Sequence, residues 1–140
     1  NQHQHIPEII QFLQQFDNQL KSIQFTTSLI PVSRGIFVSA YVKLKEKVLL
    51  EHIKTAYNSC YADKYFVRIN HHQKLPDLHQ VIGSNFCDIG YIYNECTGIL
   101  TLVAVIDNLI KGASGQAIQN FNLWAGLDET CGLKQMPNFI

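Results

Sequence analysis

The chain has 140 residues, 46% of them hydrophobic, and its eleven basic and eleven acidic side chains cancel. That length and apolar content support a single domain over residues 1–140 with a core of its own. No basic stripe marks a nucleic-acid partner, and no apolar run approaches the roughly 20 residues of a membrane span. The first residue, Asn1, is not an initiator methionine, so the chain reads as a piece of a longer protein.

The segment His3-Gln4-His5-Ile6-Pro7-Glu8-Ile9 comes first. If its backbone is extended, the two imidazoles share a face, and Pro7 marks the first turn of the helix that follows. Imidazole is the side chain best suited to moving protons near neutral pH, which makes His3 and His5 candidates for acid/base or substrate-orienting work. A shared metal ion is a weaker option, because no acidic or thiol third ligand has suggestive spacing. A polar strand end is the plain alternative. Ile9, Ile10, Leu13, Phe16 and Leu20 then fall on one stripe, which predicts a helix from Pro7 to Leu20.

Ser22 to Ile30 reads as a strand. Ser33-Arg34-Gly35 follows, where a guanidinium could grip a carboxylate or phosphate and Gly35 could let a ligand approach the backbone. A solvated turn arginine is the alternative. Ile36, Val38, Ala40, Val42 and Leu44 alternate with Phe37, Ser39, Tyr41 and Lys43, predicting a long strand with one strictly apolar face. Helical spacing returns from Glu46 to Tyr61, and a short strand is expected over Tyr65 to Ile69. His71 and His72 lie in a polar loop, and His52 and His79 sit among surface-type residues.

Two strands around Cys87 to Tyr93 and Ile99 to Ile106 flank Asn94-Glu95-Cys96-Thr97-Gly98, a hairpin turn. In the stretch 83–90, Asn85 and Asp88 could orient side chains or satisfy turn amides. Asp107 and Asn108 are placed to cap a helix running to about Trp124. That helix contains Gly112 and Gly115, each costing about 1 kcal/mol against Ala, so something presses close to it. A ligand near its N-terminus, helped by Lys111, and a tight contact with the sheet both explain the glycines. Cys60, Cys87, Cys96 and Cys131 show no CxxC and no pairing with His; they read as small buried hydrophobes in a reducing compartment. The expected class is α+β: a mixed, largely antiparallel sheet with helices on one face.

Several of these segments together resemble the N-acetyl-gamma-glutamyl-phosphate reductase family. They are HQHIPEI at 3–9, FTTSLIPVSRGI at 25–36, YVKL at 41–44, FVRI at 66–69, LPD at 75–77, GSNFCDIG at 83–90, DNLIKGASGQAIQN at 107–120 and GLDETCGL at 126–133. They occur in order and span nearly the whole chain, and HxHxPE, SNFCDIG and DNLxKGA are the most specific. The family commonly reads FTPHL where this chain has Phe25-Thr26-Thr27-Ser28-Leu29, which weakens any substrate role for that stretch.

The resemblance implies a C-terminal domain of the glyceraldehyde-3-phosphate dehydrogenase type, carrying substrate contacts and the surface of a homo-oligomer. It implies that an N-terminal Rossmann domain, outside this chain, is its covalent partner. NADP(H), held mainly by that domain, and the nucleophilic cysteine both belong upstream. A thiolate attacks the acyl phosphate, phosphate leaves, and the thioester is reduced to N-acetylglutamate semialdehyde in the cytoplasm, with no metal. On this reading His3 and His5 are the catalytic histidines, and Arg34 with Ser33 contacts the substrate. Asn108, Lys111, Gly112 and Gln116 lie on the cofactor side, and Cys87 is structural. The isolated piece is expected to be inactive, the alternative being a noncatalytic assembly or ligand-binding module.

Overall fold

A computed structural model describes residues 3–44, 48–71 and 74–137. His72, from the predicted polar loop, and Glu46, the predicted start of the second helix, lie outside the described residues. The chain divides into two compact units, residues 1–32 and 33–140.

Among the described residues the first unit holds one helix, α1 (His5–Leu13), with Glu8 in its first turn where the helix dipole favours an anion. The predicted helix to Leu20 ends early for a local reason. Asp17 Oδ1 accepts the Gln19 backbone N–H at 3.0 Å, and Gln14 Nε2 donates to the Leu20 carbonyl at 2.8 Å. Such side-chain bonds give the backbone an alternative to the helical ladder. The predicted strand over 22–30 is not formed: the stretch has no regular secondary structure. Its apolar content suits a strand, but a strand needs a hydrogen-bonding partner.

The second unit is built on a four-stranded sheet. In chain order its elements are β1 (Ile36–Lys43), α2 (Leu50–Tyr61), β2 (Val67–Asn70), β3 (Cys87–Asn94), β4 (Ile99–Ile106) and α3 (Gly115–Trp124). A wide π-helical turn, Ile110–Ser114, leads into α3. Spatial order is β1-β4-β3-β2, with β1/β4 and β3/β4 antiparallel and β2/β3 parallel. The mixed α+β class is therefore as the sequence indicates.

The β3–β4 hairpin closes where Asn94 Oδ1 accepts the N–H groups of Cys96 and Thr97, at 3.0 and 3.1 Å, and Gly98 takes φ +69°. Pleat alternation then sends Tyr91 and Tyr93 to one face with Leu100, where Ile53 of α2 packs on them. The Tyr57 and Tyr91 rings stack with centroids 5.0 Å apart. Val103 and Val105 point to the other face and pack with Val81, beside Leu78 and Phe86. At Gly90 the loop 74–76 crosses so closely that an added Cβ would collide with the Lys74 carbonyl oxygen.

The apolar alternation of β1 does not produce a buried face. Ile36, Val38 and Val42 are 42%, 50% and 40% exposed, and Phe37 and Tyr41 on the opposite face are 49% and 73% exposed. β1 is an edge strand, paired on one side only, and its periodicity records the strand's own pleat rather than a buried face.

Candidate functional site

In the first unit, His3 precedes the helix and His5 is its first residue. Gln4 between them is helical (φ −57°, ψ −28°), so the extended backbone expected to align the two rings is absent. Helix initiation brings them together instead. The rings sit 5.0 Å apart, edge to face, and the His5 backbone N–H donates to His3 Nδ1 at 3.3 Å. His3 also packs on the Phe25 ring at 4.8 Å. With Nδ1 accepting, a neutral His3 carries its proton on Nε2.

In the second unit, the loop before β1 meets the end of β4. Asp107 is fully buried, and the Arg34 Nη2 atom lies 2.8 Å from its Oδ1 and 2.7 Å from its Oδ2. The same carboxylate accepts the backbone N–H groups of Gly83 (2.7 Å), Leu109 (2.8 Å) and Ile110 (3.0 Å). Burial pushes its pKa up, but the guanidinium and those three amides outweigh burial and hold it below the ordinary carboxylate value. Asn108 Oδ1 accepts the Gly35 N–H at 2.7 Å. Of the two residues expected to cap the helix, Asp107 binds its first amides and Asn108 ties down the loop instead.

Arg34 is thus gripped through one end of its fork, and Nε is buried without a partner. Ser33 is exposed beside it. The space expected for a ligand at Gly35 is taken: an added Cβ would lie 2.7 Å from Leu78 Cδ2, and φ is +122°, which favours glycine.

The polar series along the last helix has a largely internal account. Lys111 Nζ donates to Gln119 Oε1 at 2.7 Å, and Asn85 Nδ2 donates to the same oxygen at 3.0 Å. Gln119 Nε2 reaches Glu129 at 3.1 Å, and Asn122 Nδ2 binds the Cys131 carbonyl at 2.9 Å. Desolvation lowers the Lys111 pKa, with Cys87 and Glu129 pulling it the other way. Its ammonium points into this network and lies 5.6 Å from the Phe66 ring centroid. Gln116 bonds Asn120 at 2.8 Å on the same helix. Gly115 packs directly on Asn85, whereas an added Cβ at Gly112 would meet only ordinary contacts at 3.4 Å and beyond.

Asp88 is paired through both oxygens with Arg68 (2.6 and 2.8 Å), whose guanidinium also binds the Gln80 carbonyl and stacks 4.2 Å from the Phe86 centroid. Arg68, Gln119 and Glu129 escaped sequence reasoning: each is recruited across 10 to 34 residues, beyond the reach of local spacing. The cysteines correct an expectation, since Cys60, Cys96 and Cys131 are exposed and only Cys87 is partly buried. Burial pushes the Cys87 thiol up, with Asp88 adding to the effect and Lys111 opposing it, so it is a poor nucleophile. A thiol reagent on the native protein should label Cys60, Cys96 and Cys131 quickly and Cys87 slowly; peptide mapping of the labelled sites checks this, and early modification of Cys87 would contradict it. Among the described residues no three His, Cys, Asp or Glu side chains are grouped to hold a metal, and no helix is long and apolar enough to cross a membrane.

Residues 1–108 match the family model described as semialdehyde dehydrogenase, dimerisation domain. The chain belongs to that family. Similar proteins carry the name N-acetyl-gamma-glutamyl-phosphate reductase. The one from Streptococcus sanguinis is 58% identical across 100% of this chain, which covers 41% of that relative. The one from Streptococcus mutans is 56% identical with the same coverage, and the one from Staphylococcus epidermidis is 54% identical, with 100% and 40% covered. The chain therefore spans about 41% of the length of the curated relatives it matches. These names agree with the resemblance carried by HxHxPE, SNFCDIG and DNLxKGA.

Proposed function

We propose that this chain is the substrate-side and oligomer-forming domain of an NADPH-dependent, cytoplasmic reductase. It turns N-acetyl-gamma-glutamyl phosphate into N-acetylglutamate semialdehyde and phosphate, in arginine biosynthesis. The observation that carries the reading is the 58% identity, over every residue of the chain, with a relative of that name. A Rossmann domain earlier in the same polypeptide supplies the nucleophilic thiolate and binds the dinucleotide, and a second copy of the chain completes the oligomer.

The chemistry assigns work to the chain's own residues. His3 or His5 takes the thiol proton, so that sulfur attacks the acyl carbon and phosphate departs. When bound, NADPH would supply the hydride for the resulting thioester; the histidine, protonated by the thiol, would return that proton to the sulfur as the C–S bond breaks and the aldehyde is released. Arg34, with Ser33 beside it, offers donors to the substrate's anionic end. Asn108 fits the nicotinamide side because its amide nitrogen has no hydrogen bond among the described residues, its oxygen being held by Gly35. Gln116 and the exposed backbone at Gly112 border the same helix start, and Lys111 supports that surface from within through Gln119.

Grafting provides the test. Replacing the corresponding C-terminal segment of the S. sanguinis relative with this chain should retain NADPH-dependent turnover of the acyl phosphate. A folded, oligomeric chimera with no turnover would overturn the reading in favour of a noncatalytic module.

A further inference from the structure

We propose that Asp107 is a positioning residue that acts through Arg34, so that the guanidinium meets the substrate's anionic group already aimed. The inference rests on the reading of Arg34 as the substrate's anion contact. Three features of the geometry support it. Asp107 is fully buried, and Arg34 is the cation its carboxylate contacts among the described residues. The contact runs through Nη2 alone, leaving the Nη1 side of the fork outside it. The carboxylate is itself immobilised by three backbone amides from two separate segments, Gly83 and the Leu109–Ile110 helix start.

A long side chain in a surface loop ordinarily samples many rotamers, and binding must then order it at an entropic cost. Here that ordering is done in the fold. The loop backbone is fixed too, since Asn108, the next residue, holds the Gly35 N–H. Two consecutive side chains at the end of β4 therefore set both the arginine and its loop. Pairing with Asp107 also neutralises Arg34, so its role is one of geometry rather than long-range attraction. A lysine is a poor replacement, because its donors radiate from one atom, whereas the planar guanidinium holds the buried carboxylate with Nη2 and presents Nη1 in a fixed direction.

The test is a double-mutant cycle in the full-length protein, reading kcat and KM for the acyl phosphate. Arg34→Ala is expected to lower kcat/KM about tenfold to a hundredfold, the loss of a charge-assisted contact. Asp107→Asn should lower kcat without raising KM, since it frees the arginine's charge while loosening its aim. In the Arg34→Ala background it should add no further loss in kcat/KM. Multiplicative losses would show that Asp107 acts independently of Arg34 and overturn the proposal. Because Asp107→Asn can compromise folding, Arg34→Lys supplies a second arm: activity close to Arg34→Ala supports the proposal, and recovery to near wild type overturns it. If Arg34→Ala itself leaves kcat/KM unchanged, it is the assignment of Arg34 to the substrate that fails, and Asp107 falls with it.

Discussion

Alanine in place of His3 or His5, in the full-length protein that carries this chain, is expected to cut turnover by about a hundredfold to ten-thousandfold at the ring that exchanges protons with the thiol. The fold should survive. His5 is exposed and His3 only partly buried, and α1 has no buried residue. Substitutions at such positions typically change stability by no more than about 0.5 kcal/mol. The two rings are not equivalent. His3 has its Nδ1 tied to the His5 N–H and its ring against Phe25, which orients the ring and puts the proton of its neutral form on Nε2. A preoriented acid/base group loses less freedom on reaching the transition state, so His3→Ala should show the larger defect. Single-turnover reduction rates alongside thermal unfolding check both parts. Wild-type turnover in both variants would remove the histidine pair from the chemistry.

Gly115→Ala is expected to destabilise the protein by roughly 1–3 kcal/mol, the usual cost of overpacking. The direction is the informative part, because alanine normally stabilises a helix interior relative to glycine by about 1 kcal/mol. At Gly115 the new methyl would strike Asn85 Oδ1, Ile110 Cγ2 at 2.7 Å and the Ile110 carbonyl oxygen at 2.9 Å. None is the loose end of a flexible chain: Asn85 is fully buried and bonded to Gln119, and the Ile110 carbonyl is backbone. Gly112, three residues earlier, has no such neighbour, and Gly112→Ala should be neutral or mildly stabilising. Denaturant midpoints of the two variants separate the cases. Equal behaviour would mean that packing against Asn85 is not what requires Gly115.

The contrast between these glycines shows what the sequence can and cannot carry. Two glycines in one helix signal close approach, but nothing local says which is pressed or by what; Asn85 lies 30 positions away from Gly115. Arg34 and Asp107 were each visible, one as a possible anion anchor and one as a helix cap. Their pairing across 73 residues depends on β1 lying beside β4, a tertiary fact. The β3–β4 hairpin and the helix after β4 follow from periodicity and turn chemistry that are local, whereas the parallel pairing of β2 with β3, like that of β1 with β4, is set only in the folded sheet. The false strand at 22–30 and the exposed faces of β1 fail for one reason: alternation describes the chain's own pleat and says nothing about whether another layer or strand is there to meet it.

The proposed activity is tested by NADP+ reduction in the full-length protein supplied with N-acetylglutamate semialdehyde and inorganic phosphate. In this direction the aldehyde is oxidised to the acyl phosphate while NADP+ takes the hydride. NADPH should accumulate only when both aldehyde and phosphate are present. A folded full-length protein that forms no NADPH with both supplied would contradict it.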